Sequence, residues 1–210
     1  LVLSLLDLYI GTYKQCQKKW LKMFKEYKLP KESFIAGWFI SHKICDGLIS
    51  YFNEFSKHAT PGKSGKGKVI KNVKDSLDLV ITANNLDKEI LTYRIELQKL
   101  LELYLKRYPE VDEYSKFNVK FFNIQKYNKK GGFKKWHFEK GSLAHTQRVL
   151  VFMTYLNNIE NGGTMFKYQN ITTPSIKGLT LIWPTDFTHT HKGQIVDKEK
   201  IITTGWYELL

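Results

Sequence analysis

His137-Phe138-Glu139 is the pair whose types and spacing best suit a metal ion in this chain. In an extended segment residues i and i+2 project to one side, so an imidazole and a carboxylate can converge on one cation. Two ligands from one segment and a third from elsewhere form a facial set that leaves positions open for oxygen and a co-substrate. Alone, H-x-E is a weak signal, because a solvated surface pair gives the same pattern. His189 and His191, in Thr188-His189-Thr190-His191-Lys192-Gly193, are the candidates for the third ligand and follow the apolar run Leu179–Trp183. Nine residues beyond His191, Lys200 opens Lys200-Ile201-Ile202-Thr203-Thr204-Gly205-Trp206. An inward lysine beside a metal can hold the far carboxylate of a dicarboxylic acid whose 2-oxo acid end chelates the ion. At a strand edge it would only be solvated.

The elements that must position these side chains are of two kinds. Residues 12–28 place Tyr13, Trp20, Leu21, Phe24 and Tyr27 on one helical face, and Leu29-Pro30 ends the run. Phe34–Ile40 reads as a strand. Ser41 can N-cap a helix from His42 to about Ser56, with the stripe Ile44, Leu48, Tyr51, Phe52 and Phe55. Asp87 can cap another, with Ile90, Tyr93, Leu97, Leu100, Leu101 and Tyr104 inward, ending before Pro109. Thr60–Lys74, rich in Gly, Lys and Ser, is predicted to be a mobile loop, either a connection or a lid. From Phe117 onward the pattern becomes short β-type runs: Val119–Tyr127, Gln147–Tyr155, Gly163–Tyr168, Leu179–Trp183 and Lys200–Tyr207. Such spacing indicates a sandwich or barrel. The expected class is mainly β with N-terminal helices (α+β).

Composition bounds the partners. With 210 residues, 42% hydrophobic and 14% aromatic, the chain can bury one sizeable core and is too apolar for disorder. The division expected is a helical extension over residues 1–33 and one β domain with supporting helices over 34–210. Thirty-three Lys+Arg against 20 Asp+Glu give a formal charge of +13, which attracts polyanions without identifying one. Nucleic acid is thus a possible partner, although no recognition helix, zinc motif or RNA-binding signature is present. Cys16 and Cys45 form no C-x-x-C pair, which fits a reducing, cytoplasmic setting. Leu1–Ile10 is apolar but contains Asp7 and is too short to span a bilayer; it lacks a basic start and a cleavage site. The missing initiator Met suggests a trimmed chain or part of a larger one.

Read in order, the segment from Tyr127 to Trp206 resembles the prolyl 4-hydroxylase-like branch of the Fe(II)/2-oxoglutarate-dependent dioxygenases, phage and bacterial members especially. The residues that carry this are Tyr127, Gly131-Gly132-Phe133, Trp136-His137-Phe138-Glu139, Gln147-Arg148-Val149 and Tyr155-Leu156-Asn157. Gly162-Gly163-Thr164-Met165-Phe166, Pro174, Lys177-Gly178, His191-Lys192-Gly193 and Lys200 to Trp206 continue it over roughly the last 80 residues. The resemblance implies a double-stranded β-helix (jelly roll) buttressed by helices. It assigns Fe(II) to His137, Glu139 and His191, with His189 outside the ligand set. Lys200 and Tyr127 would hold the distal carboxylate of 2-oxoglutarate, Arg148 would face the substrate mouth, and Trp206 would pack behind the site. Ascorbate is implied as an accessory reductant.

One ligand departs from the family pattern, which has Asp where this chain has Glu139. The extra methylene moves the carboxylate by about 1 Å or more, comparable to a bond length. The activity implied is hydroxylation of a prolyl residue in a peptide or protein, with release of succinate and CO2. Rival readings are an iron oxygenase acting on nucleic acid or a free amino acid, a cupin-type enzyme without 2-oxoglutarate, and a non-catalytic jelly-roll binding module. If the source is viral, the setting would be the host cytoplasm.

Overall fold

The computed structural model describes residues 23–64, 67–113 and 116–210. Its first half carries β1 (Glu26–Tyr27), β2 (Ala36–Phe39), helix α1 (His42–Glu54), β3 (Thr60–Pro61), β4 (Lys74–Asp75), β5 (Leu77–Thr82), helix α2 (Lys88–Arg107) and the short α3 (Glu110–Glu113). The second half is β6 (Phe117–Asn118), β7 (Phe121–Tyr127), β8 (Gly132–Phe133), β9 (Arg148–Tyr155), β10 (Ile159–Phe166), β11 (Ile171–Ser175), β12 (Leu179–Pro184), β13 (His191–Gly193) and β14 (Lys200–Leu209). The large antiparallel sheet runs β1-β2-β12-β9-β14-β7-β5-β3, with β6 added beside β14. A smaller sheet, β11-β10-β13, lies over its inner face, and a ribbon of β4 and β8 stands at the rim. Helices outside, two antiparallel sheets within: this is the double-stranded β-helix layout.

Alternation along the central strands separates two environments. On β7, β9 and β14 one set of side chains, Phe122, Ile124, Leu150, Phe152, Ile201 and Tyr207, packs under the helices. Both helices meet that face: α1 contributes Cys45, Leu48, Tyr51 and Phe52, and α2 contributes Ile90, Tyr93, Leu97, Leu100, Leu101 and Tyr104. Each fully buried large apolar side chain there stabilises the fold by roughly 1.5–3 kcal/mol. The alternate set, Tyr127, Val151, Met153, Tyr155 and Ile202, faces the small sheet with Phe166, Leu181 and Trp183. The functional residues project into this second layer.

Local chemistry explains most boundaries. Ser41 caps α1 as expected, its hydroxyl accepting from the Lys43 N–H. Asp87 precedes α2 without a side-chain cap bond; its carboxylate instead accepts from the Tyr51 hydroxyl at 2.6 Å and ties the two helices together. Tyr93 reaches through to the sheet and bonds the Thr154 and Thr203 hydroxyls in the core. Gly205 is required between them, since a Cβ would lie 2.5 Å from the Phe152 ring.

Several expectations change. The helix predicted over 12–28 lies mostly outside the described residues, and its last turn is instead β1, because Glu26 and Tyr27 pair with Trp38 and Gly37 of β2. Sheet pairing outweighs the helical spacing of Phe24 and Tyr27 there. Thr60–Lys74 is not loop throughout: β3 pairs with β5, and Lys74 opens β4 against β8. Strands β5, β8, β11 and β13 also went unrecognised in the sequence. Gly163, inside β10, sits where a Cβ would meet the Thr173 carbonyl oxygen, so the Gly162-Gly163 pair permits the irregular register between β10 and β11. No helix among the described residues is long and apolar enough to cross a membrane.

Candidate metal centre and its cavity

Three atoms that could share one ion converge where the two sheets meet. The ligand atoms of His137, Glu139 and His191 all lie within 4.8 Å of one another. Glu139 Oε1 is 3.4 Å from His137 Nε2 and 3.6 Å from His191 Nε2. His191 opens β13, paired with Phe166 of β10. His137 is not part of a regular strand. It forms an isolated bridge to His191, their backbones exchanging hydrogen bonds of 3.0 and 2.8 Å. Two residues on, the Glu139 N–H donates to the Thr185 carbonyl at 3.1 Å. The segment is thus stitched to β13 on one side and to the end of β12 on the other, and its i, i+2 side chains point the same way.

The imidazoles are oriented for ligation by their far nitrogens. His137 Nδ1–H donates to the Lys135 carbonyl at 3.0 Å and His191 Nδ1–H to the His189 carbonyl at 2.8 Å. Because a carbonyl only accepts, each proton is fixed on Nδ1 and the Nε2 lone pairs face Glu139. Phe133 stacks on His137 at 3.4 Å. Burial and the neighbouring His191 hold the His137 imidazole below its ordinary value, which favours the neutral ligand form. Burial pushes the Glu139 carboxyl upward, but the proximity of the His137 and His191 imidazoles outweighs it and holds the group well below the usual carboxylate range.

The second carboxylate oxygen is held from behind. Trp206 Nε1–H donates to Glu139 Oε2 at 3.1 Å, and Arg148 NH1 is 3.7 Å from the same atom. The Arg148 guanidinium lies 3.5 Å over the Trp206 ring and reaches toward Glu208 at 3.6 Å. Glu139 therefore offers one oxygen to the histidines and gives the other to the protein. His189 is elsewhere: its Nε2 bonds the Ser33 carbonyl at 2.9 Å and its Nδ1 meets the Thr188 hydroxyl.

The three residues line a cavity of about 800 Å³. Lys200 lies at its inner part, 4% exposed, donating to the carbonyls of Gly162 at 2.9 Å and Gln194 at 3.1 Å. No described carboxylate pairs with it, and burial lowers its pKa to about 8. Tyr127, opposite Lys200 in the β7–β14 register, lies beneath its ammonium at 5.5 Å. Its hydroxyl donates to Gln125 Oε1. Tyr155 and Thr164 bond each other at 2.7 Å in the same wall. Arg148 lines the cavity too.

Sequence reasoning missed the outer wall, where Lys74, Asp78, Asn123 and Gln125 are all buried. Lys74 pairs with Asp78, and Ser76 and Gln125 also bond that carboxylate. The signal available was the period of two: Gln125 and Asn123 precede Tyr127 by two and four residues on one strand.

Residues 122–208 match the profile of the 2OG-Fe(II) oxygenase superfamily. Solved structures similar to this chain carry the same fold. A Pseudomonas putida prolyl-4-hydroxylase aligns with TM-score 0.67 at 13% identity, over 83% of this chain and 92% of that one. A Trichoplax adhaerens prolyl hydroxylase, in complex with a peptide fragment of the hypoxia inducible factor oxygen degradation domain, gives 0.69 at 13% identity over 84% of each chain. The viral collagen prolyl hydroxylase of Paramecium Bursaria Chlorella virus-1, in its 2OG complex, gives 0.62 at 16% identity, over 84% of this chain and 97% of that one. No curated protein sequence matches this chain significantly.

Proposed function

We propose that this protein is an Fe(II)/2-oxoglutarate-dependent oxygenase that hydroxylates a prolyl residue of a peptide or protein, converting 2-oxoglutarate and O2 to succinate and CO2. The observation that carries this reading is the pairing of two features in one cavity. Three neutral-or-anionic ligating atoms lie within 4.8 Å, and a buried ammonium without a carboxylate partner waits further in. These fit Fe(II) and a dicarboxylate respectively. His137, Glu139 and His191 would hold the iron, and Lys200, with Tyr127 beside it, the far carboxylate. Bound iron supplies oxidative decarboxylation and C–H oxidation; the chain supplies position and a dry pocket. Arg148 lines the cavity next to Glu139 and is assigned to its substrate side. Ascorbate as an accessory reductant and an intracellular setting belong to the same proposal.

The prolyl assignment is supported by similar structures described as prolyl hydroxylases, one of them holding a peptide. The test has two stages. Anaerobic Fe(II) titration with 2-oxoglutarate should give a metal-to-ligand charge-transfer band, and a peptide and metabolite panel scored by succinate release should select prolyl peptides. His137→Ala should lose both signals. Wild-type turnover in that variant would remove His137 from the metal site, and selection of another compound class would replace the prolyl reading alone.

A further inference from the structure

Two carboxamides face the cavity from alternate positions of β7, and their circumstances are opposite. Gln125 is committed at both ends: its Nε2 donates to Asp78 Oδ2 at 3.4 Å, and its Oε1 accepts from the Tyr127 hydroxyl. Asn123 is 7% exposed and lines the same cavity, yet its side chain bonds none of the described residues. The amide opens onto the cavity, with donors and an acceptor to offer a bound molecule. Its cross-strand neighbours do not use it. Thr204 opposite on β14 donates to the Phe152 carbonyl at 3.3 Å, and on β5 the partner is Val80. Trp206, the next inward residue after Thr204, is the one that bonds Glu139. At about 3.4 Å per strand residue, Asn123 stands roughly 7 Å along the wall from the row that supports the metal ligands.

We propose that Asn123 is a substrate subsite that binds an extended peptide main chain beside the residue to be oxidised. In an extended chain the N–H and C=O of one residue point to the same side, and a carboxamide meets both, accepting from one and donating to the other. A free amino acid would meet the same carboxamide through an ammonium and a carboxylate, which cost far more to bury than neutral amides, so amide-flanked substrates are preferred. This rests on the iron-site reading above and adds the residue that binds the peptide main chain. A nucleobase edge could also engage a carboxamide, but a flipped base needs open ring faces to stack on. Here the Trp206 face is taken by Arg148 at 3.5 Å, Phe121 meets Trp206 in a T-shaped contact at 5.5 Å, and Phe133 is covered by His137 at 3.4 Å, which leaves the half-exposed Phe138 as a single platform rather than the two-sided stack a flipped base needs.

The experiment is affinity selection on the full chain loaded with Mn(II) and 2-oxoglutarate. The probes are N-acetylated, C-amidated tripeptides carrying each of the twenty amino acids at the centre, the twenty free amino acids, and single-stranded oligonucleotides. Calorimetry then compares the best binder in wild type, Asn123→Ala and Asn123→Leu. A capped tripeptide should be selected, and both variants should weaken it about tenfold or more while leaving the Fe(II)/2-oxoglutarate absorption band unchanged. Two variants of different size separate loss of the amide from a packing defect. Unchanged affinity in either folded variant, equal binding of a free amino acid, preference for an oligonucleotide, or selection of no capped tripeptide would each overturn the subsite. Absence of the absorption band in wild type would instead overturn the iron-site reading on which it rests.

Discussion

Replacing Trp206 with Phe should weaken metal binding without unfolding the protein. The indole N–H is the only described donor within 3.5 Å of Glu139 Oε2, at 3.1 Å, while Arg148 NH1 stands off at 3.7 Å. A hydrogen bond to a charged acceptor contributes about 1.5–3 kcal/mol net, and more where the acceptor is buried and left unsatisfied. Arg148 can close part of the gap once the indole is gone, which favours the lower end, about 1.5–2 kcal/mol. That corresponds to a rise of roughly 10- to 30-fold in the Kd for Fe(II), within the range expected for a partner of a metal ligand. Phenylalanine keeps an aromatic surface for Arg148 and for Phe121, so the Tm should move by no more than a few degrees. The assay is anaerobic Fe(II) titration in saturating 2-oxoglutarate, followed by the charge-transfer band. A Kd within twofold of wild type would refute the claim that the indole holds Glu139 for the ion. Equal loss of Tm and metal affinity would assign Trp206 to packing.

Lys200 should make 2-oxoglutarate binding pH-dependent. Burial lowers its pKa to about 8, so the ammonium is present below that pH and lost above it. The apparent Kd for 2-oxoglutarate should be flat near pH 6–7 and climb about tenfold per pH unit above 8, with one proton taken up on binding. Lys200→Met should raise the Kd and abolish the slope; an unchanged Kd would contradict the anchoring role. Tyr93→Phe should cost about 1–3 kcal/mol of stability, because it leaves the buried Thr154 and Thr203 hydroxyls short of a partner. Thermal unfolding should show it as a lower Tm, with the charge-transfer band unchanged.

What the sequence revealed and what it hid follow one physical division. Side chains that face bulk apolar core advertise themselves by period, as with Ile90, Leu97 and Leu101 on α2 or Phe122 and Ile124 on β7. Strand β5 was hidden because its inward set is mixed. Leu79 and Ile81 enter the helix-covered core, whereas Asp78 faces the cavity and is buried by pairing with Lys74. A charged residue inside a strand reads as a loop unless its partner is known, and here the partner lay in a lysine-rich stretch that reads as solvated. Strand β11 carries Pro174, which is tolerated because β11 is an edge of the small sheet. The first strand was masked by the helical spacing of Phe24 and Tyr27, a local preference that pairing with β2 overrides.

The glutamate shows how a local oddity is resolved by distant residues. In the sequence, Glu139 is one methylene longer than the aspartate expected, and nothing adjacent explains how its carboxylate keeps register with two imidazoles. The structure supplies two restraints from remote strands. Backbone bonding to Thr185 fixes where the side chain begins, and Trp206 fixes where Oε2 ends. With both termini held, the extra length is taken up between them, and Oε1 remains 3.4 and 3.6 Å from the two Nε2 atoms. Neither restraint is visible from spacing, since Thr185 and Trp206 are brought to Glu139 only by the closure of β12 and β14 around β9. A longer ligand is thus compatible with the same three-atom cluster because the sheet, rather than the segment that carries the glutamate, sets the carboxylate's position.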